Sequence, residues 1–108
     1  MGRTLHYRTK QSVSAEELKR LKRIEKKYNS SQRWVERRMK IFIDPDIEDK
    51  LKTFCGFTKV VCDEDAELVI AAIKEMSVAT PRLTWLVYDE GGLTNDVWVK
   101  LKAGKFRD

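Results

Sequence analysis

Residues 33–43 read RWVERRMKIFI, and the alternation of this stretch predicts the central strand of a sheet. One face of the predicted strand is apolar apart from one arginine: Val35, Arg37, Met39, Ile41 and Ile43. The opposite face combines two aromatic rings with two cations and one acid: Trp34, Glu36, Arg38, Lys40 and Phe42. Because a solvated strand face rarely concentrates large aromatic side chains, this second face predicts a surface that binds something.

Length and composition predict one globular domain that spans residues 1–108. Hydrophobic residues make up 42% of the chain and charged residues 36%, a balance typical of folded proteins. No apolar run approaches the roughly 20 residues that a membrane-spanning helix needs. The first ten residues, MGRTLHYRTK, also lack the apolar core of a signal peptide. We therefore expect a cytoplasmic protein without a transmembrane segment.

The few metal-binding side chains argue against a metal or cofactor site. Cys55 and Cys62 are the two cysteines, six residues separate them, and His6 is the single histidine. A structural zinc ion needs four nitrogen or sulfur ligands, which one chain of this composition does not supply. The sequence also contains no phosphate-binding glycine loop and no nucleophile motif. We therefore predict no cofactor, no metal and no catalytic residue.

Charge is distributed unevenly along the chain, whose net charge is +5. Residues 1–43 hold 13 Lys/Arg against 4 Asp/Glu, whereas residues 44–108 hold 9 Lys/Arg against 13 Asp/Glu. Such a split is typical of a protein with a polyanion-binding side. It is equally expected of a domain whose two halves attract each other, and composition does not choose between them.

Two strong local patterns precede the central strand. Residues 3–10 alternate as a strand, with Leu5, Tyr7 and Thr9 on its inner face. Ser14 and Glu17 have the spacing of a capping box, which predicts a helix that continues to about residue 28. The exposed face of this helix is basic and is a second candidate for binding phosphates or anionic lipid, or else is simply solvated: Lys19, Lys22, Arg23, Lys26 and Lys27.

The second half of the chain predicts further helices and strands. Asp44 and Pro45 have the types expected at a helix start, so we predict a short helix from Pro45 to Cys55 that Gly56 ends. Residues 57–62 predict a short strand or an extended linker, and residues 63–80 a long helix that stops before Pro81. Strands are predicted over 82–88 and 97–102, followed by a short polar tail from residue 103.

This order of elements predicts an α+β fold. We expect a two-layer sandwich, ferredoxin-like or a related split β-α-β sheet of four to five strands, packed by two main helices plus one short helix. A mostly antiparallel sheet with another strand order is the alternative. If the first, central and last strands share one sheet, their outward side chains form one basic, aromatic face: His6, Arg8, Lys10, Trp34, Arg38, Lys40, Phe42, Trp98, Lys100 and Lys102.

Three classes of function are consistent with that face. The favoured class is a small non-enzymatic binding module that acts through protein–protein interaction or homo-oligomerisation, since apolar patches on open sheets commonly pair. The alternative is single-stranded nucleic-acid binding, in which rings stack on bases and cations follow phosphates. The third is a small enzyme such as a nuclease built on His6 with Arg8 or Lys40, which would require a nearby carboxylate such as Glu36.

Overall fold

The computed structural model describes residues 3–30, 44–45, 54–60, 62–90 and 98–107. Two helices are present in these ranges: α1 (Ala15–Asn29) and α2 (Asp63–Ala79). The strands are β1 (Arg3–Thr9), β2 (Asp44–Pro45), β3 (Phe54–Val60), β4 (Trp85–Asp89), β5 (Val99–Lys102) and β6 (Lys105–Arg107).

The strands form one open antiparallel sheet in the order β2-β3-β1-β4-β5-β6. Strand β1 lies inside the sheet, between β3 and β4, and β2 contributes only two residues at one edge. Helix α2 lies between β3 and β4 in the chain, and β1 separates these two strands in the sheet. The protein is therefore α+β, as the order of elements predicted.

Both helices pack on one face of the sheet and enclose a single core. Inward-facing strand residues are fully buried there, among them Leu5, Tyr7, Trp85 and Leu101. Helix α2 contributes the most core side chains: Ala66, Leu68, Val69, Ala72, Ile73 and Met76. The alternation predicted for the first strand and for the strands around Trp85 and Leu101 is confirmed.

Local signals determine where the helices begin and end. The Ser14 hydroxyl accepts from the Glu17 amide and the Glu17 carboxylate accepts from the Ser14 amide, which confirms the predicted capping box. Helix α2 ends at Ala79, and the Thr80 amide closes its last turn on the Met76 carbonyl. Pro81 follows at once, which agrees with the predicted end of this helix.

The predicted short helix from Pro45 to Cys55 is wrong at both of its ends. Asp44 pairs with Cys55 and Pro45 pairs with Phe54, so these ends are adjacent antiparallel strands. Proline is acceptable in β2 because an edge strand needs no hydrogen bond from every amide. Gly56, predicted to end the helix, instead lies within β3 opposite Tyr7. Residues 46–53 lie outside the described ranges.

The polar tail predicted from residue 103 is also wrong, because that segment turns back to form β6. Ala103 and Gly104 both have positive φ, 49° and 83°, and join Lys102 to its partner Lys105 in a two-residue hairpin. Turns of this kind match the natural twist of paired strands. Gly104 was the available signal, since glycine adopts such angles without steric cost.

Several predictions fall outside the described residues. The central strand over residues 33–43 belongs to this group, so it stays a prediction. Within the described ranges, neither helix is long and apolar enough to span a bilayer.

Candidate binding face of the sheet

Alternation along each strand places one set of side chains on the sheet face away from the helices, which we call the open face. The cross-strand register aligns Phe57 of β3 with His6 of β1, and His6 with Tyr88 of β4. The described members of the open face include Thr4, His6, Arg8, Lys10, Cys55, Phe57, Lys59, Leu86, Tyr88, Glu90, Trp98, Lys100, Lys102 and Lys105.

Four rings cross the open face side by side, and we call Phe57, His6, Tyr88 and Trp98 the aromatic row. The His6 ring centre lies 6.4 Å from that of Phe57, 6.0 Å from Tyr88 and 6.3 Å from Trp98. Tyr88 and Trp98 are 5.6 Å apart, and all four contacts are tilted rather than flat. These distances are typical of aromatic rings in contact.

The two outer rings of the row remain accessible. Phe57 is 54% exposed and Trp98 is 42% exposed, whereas the core tryptophan Trp85 is fully buried. Large apolar side chains that are exposed together are typical of surfaces that contact another molecule. The row therefore offers two flat, partly desolvated platforms, with His6 and Tyr88 between them.

Cations border the aromatic row. The Arg8 guanidinium carbon lies 4.8 Å from the Trp98 ring centre, within the range of a cation–π contact. Leu86 pairs with Arg8 on one side and with Lys100 on the other. Lys59 lies opposite Thr4. The side chains of Arg8, Lys10, Lys59, Lys100 and Lys102 are all exposed. A molecule lying on the row would therefore meet positive charge on either side.

Among the described residues, one carboxylate interrupts this basic surface. Glu90 Oε1 and His6 Nε2 are 2.8 Å apart, and their side chains are 50% and 35% exposed. The hydrogen bond with His6 lowers the pKa of the Glu90 carboxyl, which is therefore ionised at neutral pH. An ionised carboxylate only accepts hydrogen bonds, so His6 Nε2 carries a hydrogen and donates the hydrogen bond to Glu90.

The structure brings together only part of the predicted face. Trp98 contacts both His6 and Arg8, and Lys100, Lys10 and Lys102 are exposed on the same face. The remaining predicted members lie outside the described residues: Trp34, Arg38, Lys40 and Phe42.

Sequence reasoning missed three residues of the site: Phe57, Tyr88 and Glu90. Tyr88 lies within the strand predicted over residues 82–88, but nothing local indicated that this strand lies beside β1. The nuclease hypothesis required a carboxylate close to His6 and suggested Glu36, which lies outside the described ranges. Glu90 occupies such a position instead, although 84 residues separate it from His6 in the chain.

The basic face of α1 is exposed, and part of it is paired. Lys27 donates to Glu75 of α2 at 2.8 Å, and Lys22 donates to Glu25 at 3.4 Å. The bond to Glu75 raises the pKa of Lys27. Lys19, Arg23 and Lys26 are also exposed on this helix, which lies in the layer behind the open face. The helix face and the open face are thus two separate basic surfaces.

Neither cysteine forms a disulfide in the structure. Both Cys55 and Cys62 are half-buried. The Asp65 amide bonds to the Cys62 sulfur and favours its thiolate, but burial and the carboxylates of Glu64 and Asp65 outweigh this and raise the pKa. Across the described ranges, no three His, Cys, Asp or Glu side chains come together as metal ligands.

Comparison with known protein families, with curated proteins and with solved structures finds no match. Function is therefore inferred from the geometry and charge of the open face.

Proposed function

We propose that this protein is a binding module that holds single-stranded nucleic acid on the open face of its sheet. The observation that carries the proposal is the aromatic row with Arg8 beside it: Phe57 and Trp98 are exposed rings flanked by cations. Unpaired bases stack on such rings with about 1–3 kcal/mol each, and cations balance the phosphates. The partner class is thus the alternative raised from the sequence.

Charge on the open face favours a polyanion over a second copy of the chain. A symmetric dimer built on this face would bring Arg8, Lys59 and Lys100 of both copies together, and like charges at an interface repel. Among the described residues of the face, Glu90 is the one carboxylate that could offset them, and it is already bonded to His6. A phosphate backbone has the opposite charge and gains from the same residues.

We also propose the finer fold, a ferredoxin-like β-α-β-β-α-β arrangement extended by β5 and β6. The strand order β2-β3-β1-β4, antiparallel throughout, supports it, as do α1 between β1 and β2 and α2 between β3 and β4. In this arrangement β1 and β3 are the two inner strands, so His6 and Phe57 lie on the inner strands of the open face. A cytoplasmic location, predicted from the sequence, fits two cysteines that are not joined in a disulfide.

Fluorescence anisotropy with a labelled single-stranded oligonucleotide of mixed sequence tests the proposal. We expect binding that weakens with added salt, because cations on the face displace counterions from the phosphates. Phe57→Ala and Trp98→Ala should each weaken binding by about tenfold through loss of a stacking platform. Phe106→Ala is the matched control, because Phe106 is an exposed aromatic on the helix side of the sheet, under Lys74 of α2.

Two results would contradict the proposal. One is the absence of salt-dependent binding to any single-stranded oligonucleotide at micromolar protein concentration. The other is an equal loss in Phe106→Ala and in the two row variants, which would indicate a general effect on folding. Electrophoresis of the oligonucleotide after incubation tests the nuclease hypothesis. Cleavage by wild type that is lost in His6→Ala would support that hypothesis.

Self-association through the aromatic row is the second candidate. The observation that favours it is the exposure of Phe57 and Trp98 on neighbouring parts of one surface. Sedimentation at high micromolar concentration distinguishes the two candidates. A dimer that Phe57→Ala converts to a monomer would favour self-association, whereas one-chain mass in wild type would exclude it.

A further inference from the structure

Within the proposed nucleic-acid site, Glu90 has no role in holding phosphate. It is an ionised carboxylate on a surface whose other charged side chains, among the described residues, are cations. Negative charge there repels a phosphate backbone, so Glu90 weakens binding that depends on charge alone. Its position beside His6, in the middle of the aromatic row, places it where the edges of stacked bases would lie.

The hydrogen bond with His6 gives Glu90 a defined orientation. His6 donates from Nε2 to Oε1 at 2.8 Å, and the His6 ring is itself held between Phe57 and Tyr88. The Glu90 amide also bonds to the Thr4 carbonyl across the strand pair, at 3.0 Å. A half-exposed carboxylate held in this way can only accept hydrogen bonds from a ligand.

We propose that Glu90 makes the face selective for guanine, an inference that rests on the proposed function. Unpaired guanine presents two adjacent donors on its Watson–Crick edge, N1–H and the N2 amino group, which match the two oxygens of a carboxylate. Cytosine and adenine present one amino group beside a ring nitrogen that repels the carboxylate. Thymine and uracil flank their single N–H with two carbonyl oxygens. Charge-assisted paired hydrogen bonds therefore favour guanine over the other bases.

The experiment uses labelled oligothymidine in which one central base is thymine, cytosine, adenine or guanine, so that a single guanine cannot form four-stranded structures. We expect the guanine oligonucleotide to bind wild-type protein about tenfold more tightly than the all-thymine one. Glu90→Gln should bring the four oligonucleotides to within about twofold of one another and should strengthen binding to oligothymidine, because it removes the repulsion between the carboxylate and the phosphates. Glu67→Gln, which removes an exposed carboxylate from α2, should leave the preference unchanged.

A ligand substitution completes the test. Inosine in place of guanine removes the N2 amino group but keeps N1–H, so wild type should lose most of its preference while Glu90→Gln should not respond. Glu90→Gln in the protein and inosine in the oligonucleotide then form a double-mutant cycle, which isolates the contact between the Glu90 carboxylate and the N2 amino group. Melting temperatures of the Glu90→Gln and Glu67→Gln variants within a few degrees of wild type exclude an effect through unfolding.

The outcomes distinguish this inference from the proposed function. Equal affinity for all four oligonucleotides, or a guanine preference that survives Glu90→Gln, would overturn the role of Glu90 while the open face remained a nucleic-acid site. If no oligonucleotide binds at all, the proposed function itself is wrong, and the selectivity fails with it.

Discussion

Arg82 and Glu17 are 65 residues apart in the chain, yet the Arg82 guanidinium donates to the Glu17 carboxylate at 2.6 Å. The same Arg82 nitrogen donates to the Ser12 carbonyl at 2.8 Å. Glu17 also accepts the Ser14 amide, so one carboxylate caps α1 and joins it to the segment before β4. Burial raises the pKa of Glu17, but the Arg82 and Ser14 hydrogen bonds outweigh it, and the pKa lies below its ordinary value.

Glu17→Gln should lower the free energy of unfolding at neutral pH and make that free energy less dependent on pH in the acid range. Because the pKa of Glu17 is lowered by folding, its carboxylate stabilises the native state above its unfolded-state pKa, and this is lost as pH falls through the folded-state pKa. We expect a loss of about 1 kcal/mol at pH 7, since Arg82 is 55% exposed and solvent screens the pair.

Urea unfolding at pH 7 and at about pH 3 measures this effect. The difference between wild type and Glu17→Gln should shrink as pH falls, because the wild-type carboxyl takes up a proton and loses its charge. Glu67→Gln on α2 is the control and should change little at either pH. A difference that grows as pH falls would show that Glu17 does not act through its ionised form.

The buried pair between Tyr7 and Thr58 should be energetically coupled. Their hydroxyl groups are 2.9 Å apart and both residues are 1% exposed, so this contact joins β1 to β3 inside the core. Tyr7→Phe and Thr58→Val should each lower the free energy of unfolding by about 1 kcal/mol. The double variant should lose less than the sum of the two, by about 0.5–1 kcal/mol. Strict additivity in denaturant unfolding would mean that the hydroxyl groups act independently.

The β5–β6 hairpin should respond in opposite directions to substitutions in its two turn residues. Ala103 has a φ of 49°, which costs alanine more than asparagine, so Ala103→Asn should raise the free energy of unfolding by about 0.5–1 kcal/mol. Gly104 has a φ of 83°, and an added Cβ would lie 2.6 Å from a Val78 methyl group. Gly104→Ala should therefore lower the free energy of unfolding by about 1–2 kcal/mol. If Ala103→Asn and Gly104→Ala shift the melting temperature equally and in the same direction, this turn geometry is excluded.

Arg8 variants should separate its charge from its contact with Trp98. Arg8→Lys keeps the charge but loses the flat guanidinium over the indole ring, so oligonucleotide affinity should fall a few-fold with the salt dependence unchanged. Arg8→Ala also removes the charge, and the slope of log affinity against log salt should become shallower by about 0.7. If the two variants share one slope, Arg8 does not neutralise a phosphate.

The sequence was most informative where the signal is local. The Ser14–Glu17 capping box, the end of α2 before Pro81, and the inward alternation of Leu5, Tyr7 and Thr9 all follow from spacing of a few residues. Asp44 and Pro45 misled for the same reason: the residue types that start a helix also occur at a sheet edge. Only pairing with β3 distinguishes the two.

The candidate site depended on contacts that no local pattern encodes. Alternation assigned His6, Arg8 and Trp98 to outward faces, but it does not specify which strands are neighbours. Strand order put Phe57 and Tyr88 on either side of His6, and the turn after β4 brought Glu90 to within 2.8 Å of it.

The amino-acid sequence by itself therefore determined which side chains of β1, β4 and β5 face the core and where each long helix begins and ends. These properties depend on the pleat of one strand and on the first and last turns of one helix. Tertiary structure alone decided that four rings, one arginine and one carboxylate share a surface. The physical reason is that strand order arises from burying the whole core at once, across residues more than 80 positions apart.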